Sequence, residues 1–231
     1  MHFMSHIGQD SWVAQILNFK KNGYFLDFGG FDGLMHSNTF YLEKFLSWEG
    51  IVVEPNPVPY ASVCAVRSCI TVNAALWKES RLSVEFTDSH GLSSFLQYQD
   101  CDSNAKMRKD ISERIIHVDT INPNELLRRF NAPEYIDFLS LDVEGAEFDV
   151  IKEIDLNYYH IALMSIEHNH EKEKQSLIRN HLSQFDYEVV EHRNDDFFFH
   201  HEHLKVVSNG NYQDPMAIQR KVLGSYQLIT Y

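Results

Sequence analysis

The sequence predicts an α/β fold with a seven-stranded, mostly parallel sheet that ends in an antiparallel edge. Short apolar runs alternate with segments of helical spacing, an order typical of parallel strands joined by crossover helices. The last two runs are separated only by the turn Arg193-Asn194-Asp195, which is typical of an antiparallel pair. With 231 residues and 44% hydrophobic content, the chain has the size of one domain with one substantial core.

The strands and helices can be placed one by one. The sheet strands are predicted over 24–28, 51–53, 69–72, 136–141, 161–166, 187–191 and 197–200. Residues 82–87 form an extra strand outside the repeat, and residues 115–118 are extended. Helices are predicted over 39–46, 123–130, 146–151 and 171–185, and Asn122 caps the second of them before a proline. Because the tail has no clear place in this pattern, we predict one domain over 1–204 and a C-terminal extension over 205–231.

Composition narrows the classes of partner and location. The formal charge of −13 would repel a polyanion, so neither DNA nor RNA is expected to bind. No apolar run approaches the roughly 20 residues of a membrane helix, and the first ten residues lack a basic-then-apolar signal pattern. The odd number of cysteines, Cys64, Cys69 and Cys101, and the lack of a CxxC pair predict reduced thiols in the cytoplasm. The oligomeric state is not predicted from the sequence, and a homodimer is one of the alternatives.

A glycine turn that carries carboxylates follows the first predicted strand. The segment Asp27-Phe28-Gly29-Gly30-Phe31-Asp32-Gly33 lies at a strand end, where ligands bind in open α/β sheets. Glu54 follows about 20 positions later, the spacing expected of a ribose-hydroxyl acceptor. A carboxylate at Asp27 would repel the pyrophosphate of NAD but suits the ammonium group of S-adenosylmethionine (SAM). The alternative is that Asp27 and Asp32 only accept turn and helix-cap hydrogen bonds.

Several motifs in a fixed order carry a family resemblance. They are Gly8-Gln9-Asp10, Ser37-Asn38-Thr39 and the segments 25–33, 42–44, 53–57, 91–94 and 139–147. Through them, from about Gly8 to His201, the chain resembles the FkbM-type methyltransferases. The resemblance implies the seven-stranded class I, Rossmann-like methyltransferase fold, SAM as cofactor, and O-methyl transfer, often to a sugar or glycan hydroxyl or to a small metabolite.

The resemblance and the fold analogy together imply a set of cofactor-binding residues. Asn73 and Ala74 enter this set by their position at the third strand end, and Ser94 enters as a contact to cofactor or acceptor, with a simple turn as its alternative. The full set is Asp27, Gly29, Gly30, Asp32, Gly33, Ser37, Asn38, Thr39, Glu54, Asn73, Ala74 and Ser94.

Polar groups at two neighbouring strand ends are the candidates for catalysis. Asp142 and Glu144 follow one strand, and Glu167 and His168 follow the next. Asp142, Glu167 and His168 could hold a magnesium or manganese ion, which would lower the pKa of a bound hydroxyl. In the metal-free alternative, His168 or Asp142 is the general base and Glu144 binds the substrate. The predicted catalytic residues are therefore Asp142, Glu144 and His168.

Two other functions are alternatives to methyl transfer. A nicotinamide-dependent oxidoreductase shares the beginning of the fold but is disfavoured by Asp27. A SAM-binding module without transfer activity predicts cofactor binding and no turnover. The tract His200-His201-Glu202-His203 is predicted to be structural, because neighbouring residues of a strand face opposite sides and would not converge on a metal.

Overall fold

The structure, a computed structural model, describes residues 3–101, 105–111, 114–192 and 194–222. The helices of this part of the chain are α1 (Gln9–Ile16), α2 (Phe40–Leu46), α3 (Pro57–Val66), α4 (Ala105–Ile111), α5 (Pro123–Arg129), α6 (Glu147–Ile151), α7 (Lys172–Ser183), α8 (His201–Ser208) and α9 (Pro215–Val222). Its strands are β1 (Tyr24–Phe28), β2 (Glu49–Val53), β3 (Ile70–Val72), β4 (Ala75–Leu76), β5 (Ser83–Thr87), β6 (Ile115–Ile121), β7 (Tyr135–Leu141), β8 (His160–Glu167), β9 (Glu188–His192) and β10 (Asp195–Phe199).

The main sheet has seven strands in the order β3-β2-β1-β7-β8-β10-β9. Strands β3, β2, β1, β7 and β8 are parallel, and β10 runs antiparallel to both β8 and β9. The predicted fold class, a mostly parallel sheet with an antiparallel edge, is therefore confirmed. The extra strand predicted over 82–87 is β5, which pairs with β6 in a separate three-stranded sheet.

Apolar side chains cover both faces of the main sheet. Along β7, Phe138 packs into one buried cluster, and the next residue, Leu139, packs into another on the opposite face. This alternation follows from the two-residue period of a strand, and burial on both faces is typical of a parallel sheet between two helical layers. The core thus leaves only the ends of the strands open to a ligand.

Two helices begin at an asparagine followed by proline. The Asn122 side chain accepts hydrogen bonds from the amides of Asn124 and Glu125 at the start of α5, which confirms its predicted role as a cap. The Asn56 side chain accepts from the Val58 amide in the same way at the start of α3. The prolines that end strand β2 therefore also begin a helix, which the sequence prediction did not include.

The region after β10 continues the packed domain. The predicted boundary at 204 falls inside α8, which packs on β7 and β8, and α9 packs on α1. Residues 223–231 of the predicted extension lie outside the described residues, as does Arg193 of the predicted turn. Across the described ranges, every helix is too short or too polar to cross a bilayer.

The histidine tract begins a helix, so the expectation that its side chains diverge along a strand is wrong. His200 is the N-cap of α8 and its side chain accepts a hydrogen bond from the His203 amide. The rings of His200 and His203 stack at 3.6 Å between centroids. Within the described residues, these histidines do not place three ligand atoms around one metal position.

Candidate functional site

The register of the main sheet brings one residue from each of five strands into a single row at the carboxyl edge. The last paired residues of β2, β1, β7 and β8 lie side by side. The next residue of each strand therefore lies beside its neighbours at the strand ends. On the last strand, Asp195 of β10 pairs directly with Glu167 of β8. The row consists of Glu54, Gly29, Asp142, Glu167 and Asp195.

A cavity of about 420 Å³ lies over this row. Its lining includes His6, Ile7 and Gln9 from the N-terminal segment and residues 90–93. Apolar side chains line the part beside Glu54: Val53, Pro55, Ala74, Ala75, Leu76, Phe86 and Phe95. The row therefore runs from an apolar half of the cavity to a half lined by carboxylates.

The glycine turn approaches the neighbouring strand so closely that no side chain fits. Gly29 has a φ of +94°, and a Cβ there would lie 1.7 Å from the carbonyl oxygen of Asp142. A Cβ on Gly30 would lie 2.2 Å from Cγ1 of Val52. Both glycine amides donate to the Val53 carbonyl oxygen at 3.0 Å. Glycine at these positions thus sets the floor of the cavity between β1 and β7.

Asp27 lies at the base of this turn, and one of its oxygens is already engaged. Thr39 Oγ1 donates to Asp27 Oδ2, and the Arg67 guanidinium lies 3.6 Å from the same oxygen. Burial raises the pKa of Asp27, and the charge of Arg67 and the hydrogen bond from Thr39 oppose that rise. Asp27 also lines the cavity, so its carboxylate joins the turn to the ligand space.

Arg67 organises the back of the turn, and the sequence analysis did not find it. Its side chain is fully buried; it donates to Thr39 Oγ1 at 2.8 Å and pairs with Glu43. It also reaches the Gly33 carbonyl oxygen at 3.4 Å and Ser37 Oγ at 3.3 Å. Arg67 lies outside every recognised motif. The one hint that the sequence offers is a charged residue directly after the apolar helix α3.

Glu54 presents its carboxylate between the turn and the cavity. Its Oε1 accepts from the Asn56 amide at 2.8 Å, and its Oε2 accepts from the Phe31 amide at 2.9 Å. Burial raises the pKa of Glu54 to about 8, although both amide hydrogen bonds favour the charged form. A ligand hydroxyl that donates to this carboxylate would stabilise the charged form further.

The structure brings part of the predicted cofactor set to the cavity wall. The lining members are Asp27, Gly29, Gly30, Ser37, Asn38, Glu54 and Ala74. Among them, Asn38 donates to Ser140 Oγ at 2.9 Å, which ties its backbone to β7. These residues surround the first half of the row, next to the turn.

The other predicted cofactor residues lie behind the wall, and each has a structural partner. Asp32 Oδ1 accepts from the amides at 34 and 35, as an Asx turn does. Thr39 binds Asp27, and Gly33 packs beside Val63 and Arg67. These residues therefore support the cavity wall, and their contact with the cofactor stays a prediction.

Asn73 and Ser94 are displaced from the cavity as well. The Asn73 amide donates to the carbonyl oxygens of Glu54 and Pro55, at the outer side of the strand end. Ser94 is buried against Thr87, and the preceding residue, Ser93, lines the cavity instead. Ser93 rather than Ser94 therefore faces the cavity, and the contact of Ser94 with cofactor or acceptor stays a prediction.

Three carboxylates meet in the second half of the cavity. One oxygen each from Asp142, Glu144 and Glu167 lies within 4.8 Å of the others. Asp142 Oδ1 is buried with no hydrogen-bond partner within the described ranges. Burial and the neighbouring negative charges raise the pKa of both Asp142 and Glu167 well above the usual range. The group can hold a shared proton, and its oxygens lie close enough to surround one cation.

Glu144 is held by a buried arginine that the sequence analysis also missed. The Arg108 guanidinium of α4 donates to Glu144 Oε2 at 2.6 Å. It also donates to the carbonyl oxygens of Leu92 at 2.9 Å and Gln99 at 3.3 Å. Arg108 therefore joins the loop that walls the cavity to the end of β7.

Glu147 shapes the loop between β7 and α6. Its Oε1 accepts from the amides of Val143 at 3.1 Å and Gly145 at 3.0 Å, and Lys174 donates to its Oε2 at 2.7 Å. Because its oxygens are engaged by the loop and by Lys174, Glu147 supports the positions of Asp142 and Glu144.

His168 does not join the carboxylates, which corrects its predicted place among both the metal ligands and the catalytic residues. Its Nε2 lies 3.1 Å from Gln175 Nε2 and 3.7 Å from Asp196 Oδ1, and its Nδ1 accepts from the His170 amide. Burial lowers the pKa of His168. The physical reason is the pleat: Glu167 faces the cavity, so the next residue faces away.

Other lining residues were not predicted as part of the site. Asp195 was assigned to a turn, but it is the first residue of β10 and faces the cavity. Gln9 belongs to a recognised motif without a predicted role, and its Nε2 donates to Asp195 Oδ2 at 3.1 Å. Only the long-range pairing of β10 with β8 brings these two residues to the row.

Comparisons with known proteins identify the family and the fold of the chain. The family model described as "Methyltransferase FkbM domain" matches residues 27–213. The crystal structure of methyltransferase FkbM from Methylobacillus flagellatus KT is 14% identical, with a TM-score of 0.54, over 82% of this chain and 48% of that one. This chain thus spans about half the length of that protein.

A second solved structure gives a weaker similarity. It is the N-terminal domain of human METTL16 in complex with SAH, 9% identical, with a TM-score of 0.43, over 81% of this chain and 66% of that one. No curated protein matches the sequence.

Proposed function

The chain belongs to the FkbM methyltransferase family, and from this premise we propose that it transfers a methyl group from SAM to a hydroxyl of a sugar, glycan or related small metabolite. The observation that carries the proposal is the row under one cavity, in which Glu54 and Gly29 lead directly to Asp142 and Glu167. A donor held at one end would have its reacting end beside the carboxylates at the other.

The first half of the cavity suits the donor. The buried Glu54 carboxylate would accept hydrogen bonds from ribose hydroxyls, and Asp27 would attract the ammonium group of the methionine end. Ala74 and its apolar neighbours would pack against the adenine. When bound, SAM supplies a methyl group that its sulfonium already activates. The protein's part is to place the acceptor oxygen in line with it, which can supply about 7 to 11 kcal/mol of the barrier.

The second half of the cavity suits the proton that the acceptor hydroxyl loses. With His168 turned away, we assign proton acceptance to Asp142, which has the Glu167 carboxylate within 4.8 Å. Burial and the neighbouring negative charges raise the pKa of both groups, which makes the ionised carboxylate a stronger base. Glu144, fixed by Arg108, would hydrogen-bond the acceptor.

A divalent cation held by Asp142, Glu144 and Glu167 is the alternative. The spacing of the three carboxylates and the unpartnered Asp142 Oδ1 support it, and such an ion would polarise the acceptor oxygen. The Arg108 guanidinium bonded to Glu144 opposes it, because it already supplies positive charge at one of the three ligands. We therefore favour the metal-free arrangement.

Calorimetric titration with S-adenosylhomocysteine (SAH) and with NAD tests the donor. We expect SAH to bind and NAD not to bind, with SAH affinity strongly reduced in Glu54→Ala. Binding of NAD alone would instead indicate an oxidoreductase. Incubation with labelled SAM and a panel of sugars and glycans then tests transfer, because a SAM-binding module without activity would bind SAH and label nothing.

We also propose a cytoplasmic location. It rests on the odd number of cysteines and the absence of a CxxC pair from the sequence. Fractionation of cells that express the chain tests it, and recovery outside the cytoplasmic fraction would contradict it.

A further inference from the structure

We propose that Asp195 selects the acceptor, by accepting a hydrogen bond from a hydroxyl or ammonium group, and that this site rejects acceptors whose bound end carries a phosphate. The inference rests on the proposed function, since it concerns what enters the second half of the same cavity. It stands on the position of Asp195, on its hydrogen bonds and on the charges around the cavity.

The sheet register places Asp195 beside the reacting groups. Asp195 is paired with Glu167 across β10 and β8, so the two side chains face the same side of the sheet. It is 8% exposed, and that small exposure opens into the cavity that Asp142 and Glu167 also line. An acceptor that reaches Asp142 therefore passes within reach of Asp195.

Two hydrogen bonds fix which oxygen Asp195 presents. Gln9 Nε2 donates to Asp195 Oδ2 at 3.1 Å, and Ser165 Oγ donates to the same oxygen at 3.0 Å. Gln9 is itself oriented, because its Oε1 accepts from the Ile7 amide at 3.2 Å. With Oδ2 engaged twice, Oδ1 is the oxygen that can accept a hydrogen bond from a ligand.

The N-terminal segment that supplies Gln9 is firmly attached. Asp10 is fully buried, and its carboxylate accepts from the amides of Met4 and Ser5 and from the Ser5 hydroxyl. Gln9 lies outside the residues that match the family model, 27–213. The segment that carries the motif Gly8-Gln9-Asp10 therefore orients Asp195 from ahead of that match.

The charge of the cavity excludes phosphate. Proteins bind phosphate chiefly through arginine, lysine or helix N-termini. The described residues that line the cavity include neither lysine nor arginine; they include the histidines His6, His36 and His90 and the carboxylates Asp27, Glu54, Asp142, Glu144, Glu167 and Asp195. Arg67 and Arg108 offset the charges of Asp27 and Glu144 from behind the lining. A phosphate beside Asp195 would still meet carboxylate oxygens, to which a hydroxyl or ammonium group can donate.

Binding of three small probes to the SAH-loaded protein tests the inference before any natural acceptor is known. The probes are glucosamine, glucose and glucose 6-phosphate, titrated by calorimetry or ligand-observed NMR. We expect glucosamine to bind at least about tenfold more tightly than glucose 6-phosphate, a difference of about 1.4 kcal/mol. In Asp195→Asn, which keeps the shape and removes the charge, glucosamine affinity should fall about fivefold or more.

Matched variants separate a local role from general damage. Gln9→Ala and Ser165→Ala should each reduce the preference for glucosamine over glucose 6-phosphate, because they release Oδ2. Asp119→Asn, at an exposed position on β6, should leave probe and SAH affinities unchanged. The SAH affinity of Asp195→Asn should stay within about twofold of wild type, which shows that the donor half is intact.

The possible failures point to different proposals. Equal binding of glucose 6-phosphate and glucosamine, an unchanged preference in Asp195→Asn, or no saturable binding of glucosamine and glucose would each overturn the role of Asp195. Failure of SAH to bind the wild-type protein would instead overturn the proposed function. With a methylated acceptor in hand, Asp195→Asn should raise KM more than it lowers kcat.

Discussion

Arg108 donates to Glu144 Oε2 at 2.6 Å, in a pair whose side chains are 2% and 10% exposed. The pair joins α4, and through Leu92 and Gln99 the cavity loop, to the end of β7. One buried contact thus controls both the acceptor half of the cavity and the wall over it.

Replacing Arg108 with methionine should therefore destabilise the protein and impair the site together. Removal of one partner from a buried ion pair costs about 3 to 5 kcal/mol, because the other charge stays buried. Urea unfolding would measure the loss. Arg108→Met/Glu144→Gln should recover part of the stability without recovering turnover, and a single variant as stable as wild type would show that the pair contributes nothing.

Asp142→Asn should abolish methyl transfer and spare the donor half. The substitution removes the proposed proton acceptor beside Glu167, whereas Glu54 and the glycine turn are untouched. SAH affinity measured by calorimetry should fall less than it does in Glu54→Ala, and kcat should fall by at least about a hundredfold, the usual range for a general base. Asp119→Asn serves as the matched control, and turnover retained in Asp142→Asn would remove Asp142 from the mechanism.

Chelation distinguishes the two arrangements of these carboxylates. In the favoured metal-free arrangement, dialysis against EDTA should leave methyl transfer within about twofold of the untreated protein. The cation alternative predicts loss of activity and its return on addition of magnesium or manganese. Such a loss and return would reassign Asp142, Glu144 and Glu167 as ligands.

The sequence predicted those parts of the molecule that local patterns encode. Apolar runs marked β1, β7 and β8 because both faces of these strands are buried, and Asn122 marked a cap because proline follows it. His168 follows the same strand as Glu167 but faces the other way, since a strand end indicates proximity and not which side chain faces the ligand. Arg67 and Arg108 were missed because each acts through partners far away in the chain.

SAH affinity should rise with pH through the titration of Glu54. Burial raises the pKa of Glu54 to about 8, and a ribose hydroxyl binds best to the charged carboxylate. Below that pKa, each unit of pH should therefore strengthen binding by up to about tenfold. Calorimetry from pH 6 to 9 measures the slope, and Glu54→Gln should flatten it.

The same group has the opposite effect on the stability of the protein without ligand. Its folded pKa lies above its unfolded value of about 4.3, so the folded state binds more protons between these two values. Its contribution to stability is therefore complete below about pH 4 and is lost as the pH rises to about 8. If SAH affinity depends on pH equally in wild type and in Glu54→Gln, a group other than Glu54 titrates.

His203 should make the fold sensitive to mild acid. Burial lowers the pKa of His203 to about 4. The His200 ring stacks on the His203 ring at 3.6 Å between centroids, and the Nδ1 of His203 lies 3.2 Å from the Ile161 carbonyl oxygen. The unfolded chain binds a proton near pH 6.5 that the folded protein does not, so stability is full above that value and falls toward about pH 4. Because the ring is only about half buried, we expect a loss of about 1 to 2 kcal/mol from this residue.

Urea unfolding at pH 7.5 and pH 5 measures this loss. Many carboxylates also titrate in acid, so the loss of unfolding free energy between the two pH values is compared between wild type and His203→Asn. The loss should be smaller in His203→Asn. His117→Asn is the matched control, because His117 is an exposed residue of β6. If His203→Asn and His117→Asn lose the same stability between the two pH values, the stacked pair at the start of α8 does not sense acid. If only His203→Asn keeps its stability at pH 5, the unfavourable protonation of His203 in the folded protein accounts for the difference.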